Sequence, residues 1–216
     1  MKKAVIFDLD GTLSDSLASI KYCVDLAIEP LGFGPFSEEQ YKYFVGDGAV
    51  HLIRRCLEAG GDTQLVHFDE AFAKSRETFR EHCMYQVKPY EGIPELLAAL
   101  KEKGVRLAVL SNKPHAQTLK VVETLFGEGY FDVIQGQAPD LPIKPSPAGI
   151  YKILDQLSLK AEDILYLGDT GVDMETGKRA GAFTVGVSWG FRPREEMEEN
   201  GADAIIDHPL EALQYI

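Results

Sequence analysis

Ala4-Val5-Ile6-Phe7-Asp8-Leu9-Asp10-Gly11-Thr12-Leu13 opens as an unbroken apolar run and ends in two carboxylates and a glycine. A strand with one wet face alternates apolar and polar residues, whereas a short continuous apolar run marks a strand buried on both faces. Similar runs recur at Val105-Arg106-Leu107-Ala108-Val109-Leu110, Ile164-Leu165-Tyr166-Leu167 and Phe183-Thr184-Val185-Gly186-Val187. Phe131-Asp132-Val133-Ile134 and Ala204-Ile205-Ile206 are shorter candidates. Helical patterns separate them: Pro94 to Lys103, Pro114 to Phe126, Pro147 to Leu157 and Val172 to Ala180. Proline near a helix start and glycine past its end (Gly104 and Gly181) is the expected asymmetry. Strand alternating with helix predicts an α/β fold, a Rossmann-like parallel sheet covered by helices on both faces.

The rhythm breaks between Leu17 and Cys83. Leu17, Ile20, Val24, Ala27 and Leu31 share one helical face, and so do Leu65, Phe68, Phe72, Phe79 and Cys83. Val50, Ile53 and Leu57 mark a helix between them. The simplest account is a helical insertion after the first strand. Residues 16–85 are then a helical cap domain, and 1–15 with 86–216 the α/β core. The crossings fall near Ser14-Ser16 and Val87-Tyr90.

The 216 residues carry a formal net charge of −12, with 45% hydrophobic and 26% charged residues. That balance is ordinary for a soluble globular chain. The negative charge argues against a nucleic-acid or anionic-membrane partner, because such binders need a cationic surface. It does not exclude a phosphorylated ligand held by a local cation cluster or a metal. Cys23, Cys56 and Cys83 form no CxxC pair and sit in apolar helical patterns, as small buried hydrophobes do. No apolar run approaches the roughly 18 residues that span a bilayer. Asp8 interrupts the first apolar stretch too soon for a signal peptide. A cytoplasmic protein is expected, as a monomer or a homodimer.

Four motifs lie at the C-terminal ends of four predicted parallel strands, the edge where open α/β sheets bind ligands. In Asp8-x-Asp10 the alternation of a strand turns both carboxylates toward one volume. Crowded like charges are unfavourable there unless a cation sits among them or one is protonated. Alone, the motif also reads as a turn. Ser111-Asn112-Lys113 combines a hydroxyl, an amide and a helix start, which suits a phosphate or merely an N-cap. Lys144 precedes Pro145 and Pro147, which bias it toward extended, stiff backbone. Gly168-Asp169-Thr170-Gly171-Val172-Asp173 places further carboxylates across a strand-to-helix turn.

In this order the motifs resemble the haloacid dehalogenase superfamily, in its phosphatase branch, over the whole chain. Within that branch the chain is similar to the phosphoglycolate phosphatase group, with Val45-Gly46-Asp47-Gly48 a further point of likeness. The resemblance implies a phospho-aspartyl intermediate on Asp8, with Asp10 as general acid and base. It implies Mg²⁺ at Asp8, the Asp10 carbonyl and Asp169, and phosphate contacts from Ser111, Asn112 and Lys144. Thr12 is expected to support Asp10 and its turn, and Asp173 to orient Asp169, Lys144 or a metal-bound water. Gly46-Asp47-Gly48 is expected to be a specificity loop reaching into the site. Lys42, Arg54, Arg55, Lys113 and Arg192 are candidates for a second anionic group on the substrate, a small phosphorylated metabolite. The motifs leave a sugar phosphomutase, a pyrophosphatase, a nucleotidase and, more distantly, a non-enzymatic phospho-acceptor as alternatives.

Overall fold

A computed structural model describes residues 1–216. Strand β1 (Ala4–Phe7) leads through β2 (Ser14–Asp15) into four helices: α1 (Leu17–Ile28), α2 (Glu38–Phe44), α3 (Ala49–Ala59) and α4 (Phe68–His82). The chain returns through β3 (Lys88–Pro89) to α5 (Ile93–Glu102), β4 (Arg106–Pro114), α6 (His115–Phe126), β5 (Val133–Gln137) and α7 (Ala148–Leu157). It closes with β6 (Ile164–Gly168), α8 (Gly171–Ala180), β7 (Phe183–Val187), α9 (Arg194–Glu199) and β8 (Ala204–Ile206). The main sheet runs β5-β4-β1-β6-β7-β8, with every pairing parallel.

β1 is central, and both of its faces are dry. Val5 and Phe7 pack with Leu96, Leu97 and Val121 of α5 and α6, while Ala4 and Ile6 pack with Ile150 and Ile153 of α7. Successive residues feed opposite layers, so a covered sheet requires every residue to be apolar. The two crossings to the helical block pair with each other as an antiparallel ribbon, Ser14 opposite Pro89 and Asp15 opposite Lys88.

The helical block has its own core, including Val24, Ile28, Tyr41, Ile53 and Leu57, all fully buried. Phe191, from the loop after β7, plugs into that core. Helix α2 escaped the apolar-periodicity reading because it is only 7 residues long. Its start was nevertheless written in Ser37-Glu38-Glu39-Gln40, a capping box in which Ser37 and Gln40 exchange hydrogen bonds. Two strand expectations shift. The expected Phe131–Ile134 strand is β5, starting at Val133, and β4 runs on to Pro114, so Ser111-Asn112-Lys113 lie within its end. Neither Ser111 nor Asn112 caps α6, whose N-terminal flank is Pro114. All three cysteines are buried and free. No helix is long and apolar enough to cross a membrane.

Candidate active site

β1 lies between β4 and β6, so the residues leaving these strands meet at one edge. Asp8 is 7% exposed, Ser111 4%, Lys144 4%, and Asp169 and Asp173 are fully buried. Carboxylate oxygens of Asp8, Asp169 and Asp173 lie within 4.8 Å of one another. Gly11 permits the approach: its φ is +91°, and a Cβ there would stand 2.3 Å from Asp169 Oδ2.

Lys144 is the cation of the cluster. Its Nζ stands 2.9 Å from Asp8 Oδ1 and 2.7 Å from Asp173 Oδ1. Burial opposes its charge, but Asp173 and Asp8 outweigh burial and hold the ammonium above its ordinary range. Asp173 has no free lone pair for a metal. Its Oδ1 also accepts from Tyr166 Oη at 2.8 Å, and its Oδ2 accepts from Thr170 N and Oγ1. Of the three orienting partners expected for Asp173, the geometry selects Lys144. The same residue closes the capping box of α8, so the plain helix-cap reading and the positioning role coexist.

Asp8 Oδ1 accepts from Leu9 N at 2.7 Å as well as facing Lys144, while its Oδ2 has no protein partner. Asp169 accepts from Thr12 Oγ1 at 3.0 Å and from Phe191 N at 2.8 Å. Thr12 therefore supports Asp169, not Asp10 as the motif suggested. Burial pushes the Asp8 carboxyl well above the carboxylate range, with the neighbouring Asp173 and Asp169 adding to it. Burial, then Asp173, pushes Asp169 up to about 7. When all three buried carboxylates are ionised, one ammonium leaves two negative charges among them, which suits a divalent cation. The Asp10 carboxylate stands outside this group.

Asp10 instead has a cation of its own. Lys113 Nζ donates to its two oxygens at 2.8 and 3.1 Å, with the lysine side chain 5% exposed. Lys113, one of five candidates for the substrate's second anion, is the residue that holds Asp10. Asn112 is also reassigned. Its side chain donates to Gly46 O at 3.0 Å and Lys144 O at 3.2 Å and accepts from Lys144 N at 2.8 Å. The amide is committed to clamping two loops and is not free for a phosphate. Ser111 Oγ accepts from Lys113 N at 3.2 Å and lines the cleft.

The cleft encloses about 1010 Å³ between the sheet edge and α1, α3 and α4. Gly46 and Gly48 line it, as the loop reading expected, but Asp47 does not and pairs with Arg55. Of the five cations proposed for a second anion, Lys113 alone lines the cleft. Lys42 pairs with Glu39 at 2.6 Å, and Arg54 is exposed elsewhere. Arg192 donates to Val45 O at 2.8 Å and to Lys42 O, tying the loop after β7 to the helical block. The lining cations that sequence reading missed are Lys74, Arg76 and Arg80 of α4, whose flanking residues gave no pattern distinguishing them from a solvated helix face.

A parallel sheet thus carries a helical block over the carboxyl ends of β1, β4 and β6, with a carboxylate–lysine cluster beneath it. The chain belongs to the haloacid dehalogenase-like hydrolase family, whose model matches residues 5–187. It is 36% identical over 189 residues to a phosphoglycolate phosphatase of Aquifex aeolicus, covering 88% of this chain and 86% of that one. It is 30% identical over 218 residues to an N-acetylmuramic acid 6-phosphate phosphatase of Pseudomonas aeruginosa, covering 99% and 94%. A crystal structure from Lactobacillus delbrueckii subsp. bulgaricus, of a protein provisionally named phosphoglycolate phosphatase, superposes with a TM-score of 0.92. Its identity is 30%, over 100% of this chain and 99% of that one.

Proposed function

We propose that the chain is a Mg²⁺-dependent phosphatase that hydrolyses the phosphate monoester of a small metabolite through an aspartyl-phosphate on Asp8. The carrying observation is the state of Asp8: one oxygen is fixed by Lys144 and Leu9 N, and the other has no protein partner in a residue that lines the cleft. A fixed carboxylate with one free oxygen is an oriented nucleophile.

Asp8 Oδ2 attacks phosphorus, and the bond from phosphorus to the substrate alcohol breaks. The departing alkoxide takes a proton from Asp10. Asp10 then takes a proton from water as the water oxygen bonds to phosphorus, and the bond to Asp8 Oδ2 breaks to release phosphate. Lys113 holds the Asp10 carboxyl in place through both steps. Lys144 and Ser111 hold phosphoryl oxygens, Lys144 offsetting their charge with an ammonium that needs no reorganisation. Asp8, Asp169 and the Asp10 carbonyl would hold Mg²⁺, which when bound offsets the repulsion between carboxylates and phosphate dianion. Residues 16–85 act as a cap that excludes bulk water from the cleft. The names of two relatives span a two-carbon acid and an amino-sugar acid, so the phosphate end does not select the alcohol. 2-Phosphoglycolate is the first substrate to try.

The test is phosphate release with and without Mg²⁺ from 2-phosphoglycolate, hexose phosphates, pyrophosphate and nucleoside monophosphates. Mg²⁺-dependent release lost in Asp8→Ala is the expected result. Release that survives in Asp8→Ala overturns the aspartyl-phosphate route.

A further inference from the structure

Resting on the phosphatase reading, we infer that the preferred substrate is the monoester of an elongated, largely apolar alcohol that lies along the inner face of the helical block. The first observation is size. 2-Phosphoglycolate has about nine non-hydrogen atoms and occupies about 270 Å³ if each takes the roughly 30 Å³ share of a liquid water. The cleft encloses about 1010 Å³ and is continuous with Asp8, Asp10, Ser111 and Lys144. A concave space this large, opening beside a nucleophile, is the kind of place where small molecules bind.

The size does not come from a helical block standing off the sheet. The block is docked by Asn112 Nδ2 on Gly46 O at 3.0 Å, by Arg192 on Val45 O at 2.8 Å, and by Phe191 buried in the block's own core. The surplus volume belongs to the docked state.

Beyond the phosphate end an apolar strip runs along a wall that also carries charged side chains of α4. Ile20, Ala27, Leu31, Leu52, Ala73 and Phe79 form the strip, drawn from three helices and the turn after α1. On α4 the lining residues run from Glu70 to Arg80. The ten rises between them span about 15 Å, several times the length of a glycolate. The rim is of mixed sign: Glu70 and Glu77 accompany Lys74, Arg76 and Arg80, and Lys74 pairs with Glu77 at 2.8 Å. A polyanionic alcohol would need an unopposed cation cluster there. An apolar body with a polar end at the rim matches what the wall offers.

The probes are ethyl, butyl, hexyl and octyl phosphate, kept below micelle formation, with 2-phosphoglycolate as reference. kcat/KM is expected to rise up to about fourfold for each methylene buried, the ratio that methylene transfer allows. Ala73→Trp, on an exposed stretch of α4, obstructs the groove; Leu31→Glu places a charge in it. Each should cut the octyl-to-ethyl ratio of kcat/KM at least tenfold. A flat series, or 2-phosphoglycolate above octyl phosphate, overturns the inference. Calorimetry with octylphosphonate and methylphosphonate separates this from failure of the phosphatase reading. If no ester is hydrolysed, that reading fails, whereas tighter octylphosphonate binding that Ala73→Trp abolishes still supports the groove. Equal binding of the two phosphonates overturns it.

Discussion

Lys144→Met removes the one ammonium from the buried carboxylate cluster while keeping an apolar stem of similar length. The lysine side chain is 3% exposed and stands 2.9 Å from Asp8 and 2.7 Å from Asp173, which is itself fully buried. Its pKa is held above the ordinary 10.5, so its contribution is fully present below about pH 10 and is lost only at higher pH. Breaking a buried pair leaves uncompensated charge and costs about 3–5 kcal/mol. At about 2–4 °C per kcal/mol for a chain of this size, the midpoint of thermal unfolding falls by about 6–20 °C at pH 8. Burial already favours the protonated form of Asp8, and without Lys144 the native state binds that proton more strongly. Because the native state of the variant then holds more protons than the unfolded chain, its stability rises as pH falls. The deficit against wild type should therefore shrink at pH 5. Differential scanning calorimetry of both proteins at pH 5 and pH 8 is the assay. A midpoint within about 2 °C of wild type at pH 8, or an equal deficit at both pH values, refutes the argument that this lysine offsets the buried charge.

Gly11→Ala forces a Cβ to within 2.3 Å of Asp169 Oδ2 at a φ of +91°, so calorimetric Mg²⁺ binding should be lost even if the chain folds; retained affinity contradicts the packing argument. Asp169 sits at about 7 and must shed its proton to ligate, so Mg²⁺ affinity should climb up to tenfold per unit as pH rises toward 7. A titration series flat from pH 5.5 to 8 removes Asp169 from the ligand set. Asp10→Asn should cost about 10²–10⁴ in turnover with Mg²⁺ binding kept. Lys113→Met acts on the same carboxyl, so losses from the two changes should not add; additive losses in a double-mutant cycle separate Lys113 from Asp10.

Much of the fold can be read from the chain because burial on both faces of β1 and β6 demands uninterrupted apolar runs. Helix α2 is the instructive exception: too short for periodicity, it announces itself only by the Ser37–Gln40 capping box. β4 was read short because the buried polar residues Ser111 and Asn112 end the apolar run before the strand ends. Polarity of side chains and extension of backbone are separate properties, and an active-site edge is where they part.

Sequence alone determined which residues are equipped for the chemistry: carboxylates at 8, 10, 169 and 173, a hydroxyl at 111 and lysines at 113 and 144. It also pointed Asp8, Asp10, Ser111, Lys113 and Asp169 to one sheet edge, since these end or directly follow a strand, whereas Lys144 lies in the loop after β5 and Asp173 within α8. Which residue faces which was decided only by the tertiary structure. The sequence separations are 103 residues for Lys113 and Asp10, 29 for Lys144 and Asp173, and 157 for Thr12 and Asp169. Pairings so distant depend on strand order and on which side of each turn a side chain leaves, and a local pattern encodes neither. The cleft is tertiary for the same reason: Ile20 and Phe79 read as core faces of separate helices, and only their packing leaves about 1010 Å³ unfilled beside Asp8.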